Sequence, residues 1–330
     1  MQAGQFSAMS NHDLNIAAGA IEPVIVKDTP EAGKATGGGP GRLLALDVFR
    51  GATLAAMLIA NNPGDWRNIY PAFRHADWHG VTFTDLIFPG FVFIMGVAMT
   101  FSFARRVAEG GNTRSLIIQL VRRTLILIAL GLLLQTFSYL LLHNPESARK
   151  FRFPGVLQRL ALCYFACGLI LLTGLRARGQ VICAALLLIG YHILMKYIPV
   201  PGFGAGKLGP EGGNWATFID DRIFGAHGYK FLKETNLWHD PEGLLSTVPA
   251  VATTLIGTVA GYVMRDKVRA DFEKVAVLMS WGFALLVMGF IWNYFFPANK
   301  NLWTSSFVLI AGGWSLLGLG ACYYCTDIRR

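Results

Sequence analysis

Eight long apolar segments dominate this chain of 330 residues and limit the folds that it can adopt. A segment of about twenty apolar residues spans a bilayer as a helix, because every backbone polar group must be bonded inside the segment. Hydrophobic residues make up 53% of the chain and charged residues only 15%, a balance that soluble domains do not show. We therefore predict an all-α, polytopic integral membrane bundle of about eight transmembrane helices. Their approximate limits are 43–61, 82–104, 115–142, 155–175, 180–198, 243–264, 275–296 and 302–325.

The net charge of +9 predicts an orientation in the membrane. Basic residues lie in short connections between apolar segments, where they mark the cytoplasmic side, and no soluble face remains to bind nucleic acid. The denser set is Arg105, Arg106, Arg114, Arg122, Arg123, Arg176, Arg178, Arg265, Lys267, Arg269 and Lys274. We expect this set and the N-terminus to face the cytoplasm, and the alternate loops to lie at the outer face.

Two regions fall outside the apolar segments. Residues 1–40 contain no cleavable signal sequence, and their polar, glycine-rich composition is typical of disorder. We expect 1–40 to be a disordered cytoplasmic tail, 41–330 to be the transmembrane domain, and 199–241 to be an outer loop.

The segment Arg74-His75-Ala76-Asp77-Trp78-His79, followed closely by Asp85, places several titratable groups against an apolar segment. Such groups are costly at a membrane boundary, so they indicate function. Imidazole transfers protons near neutral pH, which makes His75 and His79 candidate catalytic residues. Solvation at the interface is the simpler alternative. A metal site on the two histidines lacks a third ligand.

Asn61 ends the first predicted helix, just before a Pro-Gly turn. Its carboxamide can stabilise a developing oxyanion, or it can cap the helix. The five cysteines lie in apolar segments, where we expect small buried residues rather than disulfides or a metal site.

Charges inside the predicted helices need partners. Asp47 and Arg50 are three residues apart, so they share a helix face and can pair; Arg50 could instead bind an anionic ligand. Arg159 lies more than one turn inside its segment, and Asp85 or Glu242 could pair with it on charge grounds.

Two further outer clusters precede helices. Asp240 and Glu242 could orient the His75 imidazole, bind a cationic acceptor, or interact with the helix dipole. Lys300 with Asn299 and Asn301 could bind a polyhydroxy or anionic acceptor, and Trp303 is typical of an interface anchor.

These segments, in this order, resemble the heparan-α-glucosaminide N-acetyltransferase family over about residues 42–325. The resemblance rests on Leu46-Asp47-Val48-Phe49-Arg50-Gly51, His75-Ala76-Asp77-Trp78-His79-Gly80, Asp85-Leu86-Ile87-Phe88-Pro89, Phe93-Ile94-Met95-Gly96, Pro154-Gly155-Val156-Leu157-Gln158-Arg159, Asp240-Pro241-Glu242-Gly243 and Asn299-Lys300-Asn301-Leu302-Trp303-Thr304. Relatives usually continue for two or more helices beyond the position of Arg330, and the lysosomal enzyme adds a large lumenal part at its N-terminus.

The resemblance implies a membrane acyltransferase that takes acetyl from cytoplasmic acetyl-CoA and delivers it to an amino sugar or glycan at the outer face. It matches the family's active-site histidine to His75 and a nearby asparagine to Asn61, whereas His79 falls where the lysosomal enzyme has asparagine. We expect Arg50, Arg105, Arg106, Arg122 and Arg123 to meet the CoA phosphates. His79, Asp85, Arg159, Lys300, Asn301 and Trp303 are candidate acceptor-binding residues. A bacterial inner membrane location is expected, no metal is required, and a homodimer is one conceivable assembly.

Two other functions compete with this hypothesis. A transporter or flippase for a polar glycan precursor would line a path with the intramembrane charges. A non-catalytic membrane partner would have a closed outer surface.

Overall fold

The computed structural model describes residues 43–65, 67–108, 112–142 and 151–329. The predicted tail of residues 1–40 lies outside this part of the chain. The described α-helices are α1 Leu44–Asn61, α2 Phe83–Ala108, α3 Thr113–Leu142, α4 Val156–Leu172, α5 Ala177–Tyr197, α6 Trp215–Phe224, α7 Leu244–Arg265, α8 Asp271–Asn293 and α9 Ser305–Tyr323.

The predicted all-α membrane fold is confirmed, because eight of these helices coincide with the eight apolar segments. Seven are long and apolar enough to cross a membrane, and α4 is a shorter apolar helix of 17 residues. The first segment is helical despite its charges, and Arg50 Nη1 lies 3.6 Å from Asp47 Oδ1 as predicted. The two residues lie about one helical turn apart, so their opposite charges can interact. This lowers the free-energy cost of placing each charge near a membrane.

The predicted outer loop of residues 199–241 contains secondary structure that the apolar pattern did not predict. It holds α6 and a two-stranded antiparallel hairpin, β1 Lys230–Leu232 and β2 Leu237–His239. The amide of Thr217 donates to the Asn214 side chain, which caps α6 at its start. The loop is therefore a small folded segment, with one helix and one hairpin, between α5 and α7.

Three helices form the centre of the bundle. In the most apolar stretch of each helix, 78% of α7, 72% of α9 and 56% of α2 is buried inside the protein. The corresponding value for α1 is only 17%. Small residues bring α2 and α7 into backbone contact, because a Cβ at Gly96 or at Gly257 would lie 2.1 Å from a carbonyl oxygen of the other helix. Such contacts are a common way for helices to associate in lipid.

The connections between alternate helices meet at one end of the bundle, which we call the loop face (segments 62–82, 151–155, 198–243 and 294–304). Gly80 N donates to Ala298 O at 2.8 Å, Trp78 Nε1 to Leu208 O at 2.7 Å, and Phe153 N to His227 O at 3.1 Å. Residues that are distant in the sequence therefore become neighbours at this face.

Candidate active site at the loop face

Asp85 is the fixed point of the site. It lies in the first turn of α2 and is 1% exposed. Its Oδ2 accepts hydrogen bonds from Ala76 N at 3.1 Å, Thr82 N at 3.1 Å and Thr82 Oγ1 at 2.9 Å. A carboxylate at a helix N-terminus satisfies free amides and interacts favourably with the helix dipole. These donors fix the carboxylate plane and leave Oδ1 for other partners.

His75 binds that second oxygen. Its Nδ1 lies 2.6 Å from Asp85 Oδ1, and its side chain is 49% exposed while that of Asp85 is 2% exposed. An ionised carboxylate accepts a hydrogen bond from Nδ1–H, so this contact favours the tautomer with its lone pair on Nε2. Among the described residues, the hydrogen-bond partners of His75 are at Nδ1, which leaves Nε2 without one on a half-exposed side chain.

Lys300 reaches the same pair from the connection between α8 and α9. Its Nζ lies 3.5 Å from Asp85 Oδ1 and 3.2 Å from His75 Nδ1. Burial lowers the pKa of Lys300 below its ordinary value, although the carboxylates of Asp85 and Glu242 act in the opposite direction.

Asn299 joins the segments that carry these residues. Its Nδ2 donates to Trp78 O at 2.8 Å, and its Oδ1 accepts from Leu302 N at 2.9 Å. The same Nδ2 lies 3.4 Å from His79 Nδ1. Burial lowers the pKa of His79, with Glu211 opposing the shift. His79 therefore supports the junction between two loops, and no hydrogen bond among the described residues joins it to Asp85. The sequence predicted Asn299 only as an acceptor-binding partner of Lys300, and its role in joining the loops was missed.

A second charged cluster lies at the same face. Arg152 Nε donates to Asp240 Oδ2 at 2.7 Å, and its Nη2 pairs with both Asp240 and Glu242. Burial opposes the charge on Arg152, but the two carboxylates raise its pKa above its ordinary value. The predicted contact in which Asp240 or Glu242 orients His75 is wrong, because Asp85 makes that contact.

Arg159 is buried beneath this cluster at 1% exposure. Its Nη2 donates to Gly243 O at 3.2 Å and pairs with Ser246 Oγ, and its guanidinium lies 4.9 Å from the Trp303 ring. The expected ion pair with Asp85 or Glu242 is therefore wrong for the described residues. Trp303 is itself 1% exposed, so the prediction of an interface anchor is wrong as well. Its ring packs inside the bundle.

One face of α6 adds buried polar residues that sequence reasoning missed. Asn214, Thr217 and Asp220 follow at intervals of three and are at most 1% exposed, so their spacing was the available signal. Asp220 Oδ1 accepts from Leu244 N at 2.9 Å, and burial raises the pKa of Asp220 to about 7. Burial lowers the pKa of the nearby His239 to about 4, and its Nδ1 lies 3.3 Å from Thr217 Oγ1.

The remaining predicted residues are spread over the molecule. Asn61 is exposed at the last residue of α1, and no hydrogen bond among the described residues joins it to His75. Asn301 is half-buried at the loop face. Arg122 and Arg123 are exposed on α3, in the half of that helix away from the loop face, and Arg106 is half-buried near the end of α2. The side chain of Arg105 lies outside the described part.

In the part of the chain that the structure describes, no group of three His, Cys, Asp or Glu side chains is placed so that it could hold a metal ion. His75 and His79 use their Nδ1 atoms for different partners.

Comparison with known proteins supplies a family. The model of the catalytic region of heparan-alpha-glucosaminide N-acetyltransferase matches residues 42–291. The chain is 29% identical to the heparan-alpha-glucosaminide N-acetyltransferases of Mus musculus and Homo sapiens, over 87% and 88% of this chain and 50% of each relative. The chain thus spans about half the length of the curated relatives that it matches.

Proposed function

We propose, starting from the fact that this chain belongs to the heparan-alpha-glucosaminide N-acetyltransferase family, that it is a membrane acetyltransferase. It moves an acetyl group from acetyl-CoA to an amino sugar or glycan acceptor, and His75 is the centre of the reaction. The observation that carries this proposal is the 2.6 Å contact between His75 Nδ1 and the buried Asp85 carboxylate, with half of the histidine side chain exposed. A buried acid that orients a half-exposed imidazole is the arrangement that acyl transfer requires.

Two routes use the same geometry. In direct transfer, the acceptor nitrogen attacks the thioester carbonyl while His75 Nε2 takes its proton, and CoA leaves as the thiolate. In the two-step route, His75 Nε2 attacks the carbonyl and CoA leaves, after which the acceptor amine displaces the acetyl group from the imidazole. Both routes need the proton on Nδ1 and a lone pair on Nε2.

We assign supporting roles from the resemblance and from position. Asn61 would donate its amide to the oxyanion. His79, Glu242 and Asn301 lie in the loop face and would contact the acceptor. Asp240 and Glu242 would bind the acceptor if it carries a cationic amine. Arg159 and Trp303 lie too deep for direct contact and would act by holding the start of α7 in place.

The donor would bind from the opposite end of the bundle. The CoA phosphates are anionic, and the basic residues there offer charge-assisted hydrogen bonds. Arg50, Arg105, Arg106, Arg122 and Arg123 are the proposed contacts. The positive-inside rule makes that end cytoplasmic in a bacterial inner membrane, so acetyl would cross to the loop face.

Transfer of radiolabelled acetyl from acetyl-CoA to glucosamine by the purified protein tests this function. We expect labelled product with the wild-type protein, and a His75→Ala variant of equal folded yield should form none above background. Equal turnover by the two proteins would remove His75 from the mechanism. Movement of a glycan precursor into proteoliposomes without consumption of acetyl-CoA would support a transporter instead.

A further inference from the structure

Three polar atoms from different segments form a closed triangle at the loop face. His75 Nδ1 lies 2.6 Å from Asp85 Oδ1 and 3.2 Å from Lys300 Nζ, and Lys300 Nζ lies 3.5 Å from Asp85 Oδ1. The other oxygen of Asp85 is occupied by three donors, so the carboxylate cannot turn away. One oxygen atom therefore serves both an imidazole and an ammonium.

The charges in this triangle decide which protonation states it tolerates. A neutral His75 leaves one positive and one negative charge, which attract each other. A protonated His75 would place an imidazolium 3.2 Å from an ammonium, and the two like charges would repel each other, which disfavours the protonated form. Burial lowers the pKa of Lys300, and the two nearby carboxylates, Asp85 and Glu242, oppose that shift by favouring its charged form.

We propose that Lys300 is a positioning residue that keeps the His75 imidazole neutral, while Asp85 holds the proton on Nδ1 and leaves the lone pair on Nε2. This proposal rests on the proposed acetyltransferase function, because only a neutral imidazole can take a proton or accept an acetyl group. It gives Lys300 a role that acts on His75 rather than on the acceptor.

The other charged groups around His75 do not supply this effect. On its own segment, Arg74 and Asp77 pair with each other and their side chains are 66% and 88% exposed, so solvent screens them. The charged groups that face His75 from other elements are Asp85 on α2 and Lys300 in the connection before α9. Glu242 acts on His75 only indirectly, through its electrostatic interaction with Lys300. His79 turns to Asn299.

Diethyl pyrocarbonate tests the proposal without needing acetyl transfer, since it reacts only with neutral imidazole. The folded membrane protein is labelled over a range of pH, and peptide mass spectrometry then gives the pH midpoint of labelling at His75. The proteins compared are wild type, Lys300→Met and Lys300→Arg. His227, whose Nδ1 contacts Phe151 O at 2.8 Å, is the internal reference for folding. Removing one positive charge should move the His75 midpoint up by about one pH unit, and the arginine variant should stay near wild type.

The transfer assay gives the second readout. On the acidic side of the labelling midpoint, Lys300→Met should lose up to about tenfold in kcat/KM and recover at higher pH, which loss of a purely structural contact would not do. An unchanged labelling midpoint in Lys300→Met, or an equal shift in Lys300→Arg, would overturn the proposal. If the protein transfers no acetyl group, the proposed function fails, but the labelling midpoints still decide the role of Lys300.

Discussion

Two charged clusters lie at the same face of this bundle and are built from the same kinds of residue. In the His75 cluster (His75, Asp85 and Lys300), a buried aspartate binds an imidazole whose residue is half exposed. In the Arg152 cluster (Arg152, Asp240 and Glu242), a buried aspartate binds a guanidinium that is 19% exposed.

The difference lies in what each cluster leaves unsatisfied. In the Arg152 cluster the charged side chains pair with one another, and Arg152 joins the segment before α4 to the start of α7. The His75 cluster fixes one ring nitrogen and leaves the other available. Charged residues at a membrane boundary are therefore not by themselves evidence for catalysis, and an accessible reactive atom held by a buried partner is the better criterion. The predictions below test this distinction.

Asp85→Asn should have the largest effect. The three donors on Oδ2 will hold the amide oxygen in that position, so the NH2 group will face His75 Nδ1. It then donates to Nδ1 and forces the proton onto Nε2, the wrong tautomer. Acetyl transfer should fall by about 10²–10⁴-fold, as measured by initial rates under saturating donor. Asp240→Asn is the matched control. Loss of a proposed acceptor contact there would raise KM, so its kcat per folded molecule at saturating acceptor should stay near wild type, and similar losses of kcat in both variants would erase the distinction.

Arg152→Met should act on stability instead. It leaves Asp240 and Glu242 without their cation in a buried site, which costs about 3–5 kcal/mol. Thermal unfolding in detergent should occur at a clearly lower temperature, while the surviving folded protein turns over normally. Arg74→Met removes an exposed ion pair and should cost at most about 1 kcal/mol. If turnover collapses in Arg152→Met without loss of stability, the cluster is part of the reaction.

Asp220→Asn should change the pH dependence of stability. The pKa of this buried carboxyl is raised from 3.8 to about 7 in the folded chain. Its protonated form therefore stabilises the fold fully below about pH 4, and that contribution is lost as the pH rises through 7. Between pH 5 and pH 8 the wild type should lose about 3 kcal/mol from this group. Asparagine keeps the contact to Leu244 N and should abolish the loss.

Unfolding midpoints at pH 5 and pH 8 measure that difference. Asp221→Asn is the control, since the neighbouring carboxylate accepts from Trp238 N at 2.8 Å and should leave the pH difference as in wild type. A pH difference that persists in Asp220→Asn would assign it to another group.

His79→Gln should have the smallest effect. His79 contacts Asn299 at 3.4 Å and is not joined to Asp85, and glutamine can preserve a hydrogen bond there. We expect kcat/KM to change by less than about threefold, the size of one weak hydrogen bond. A loss comparable to that of Asp85→Asn would make the two histidines equivalent again.

The sequence predicted the architecture well and the site contacts only in part. All eight apolar helices were predicted, and so was the Asp47–Arg50 pair, because each depends on spacing within one segment. The partners of His75, Arg159 and Glu242 were mispredicted. Each of these partners comes from another segment, and charge alone could not choose among Asp85, Asp240 and Glu242.

The sequence by itself determined the membrane class, the number of apolar helices and the position of the polar segment around His75. Hydropathy and helical periodicity are local properties, so the linear chain contains them. Only the tertiary structure decided that Asp85 holds His75, that Lys300 joins them from a segment more than two hundred residues away, and that Arg152 pairs with Asp240 and Glu242. These choices depend on which loops meet at one face, and that is set by the packing of α2, α7 and α9 rather than by any single stretch of residues.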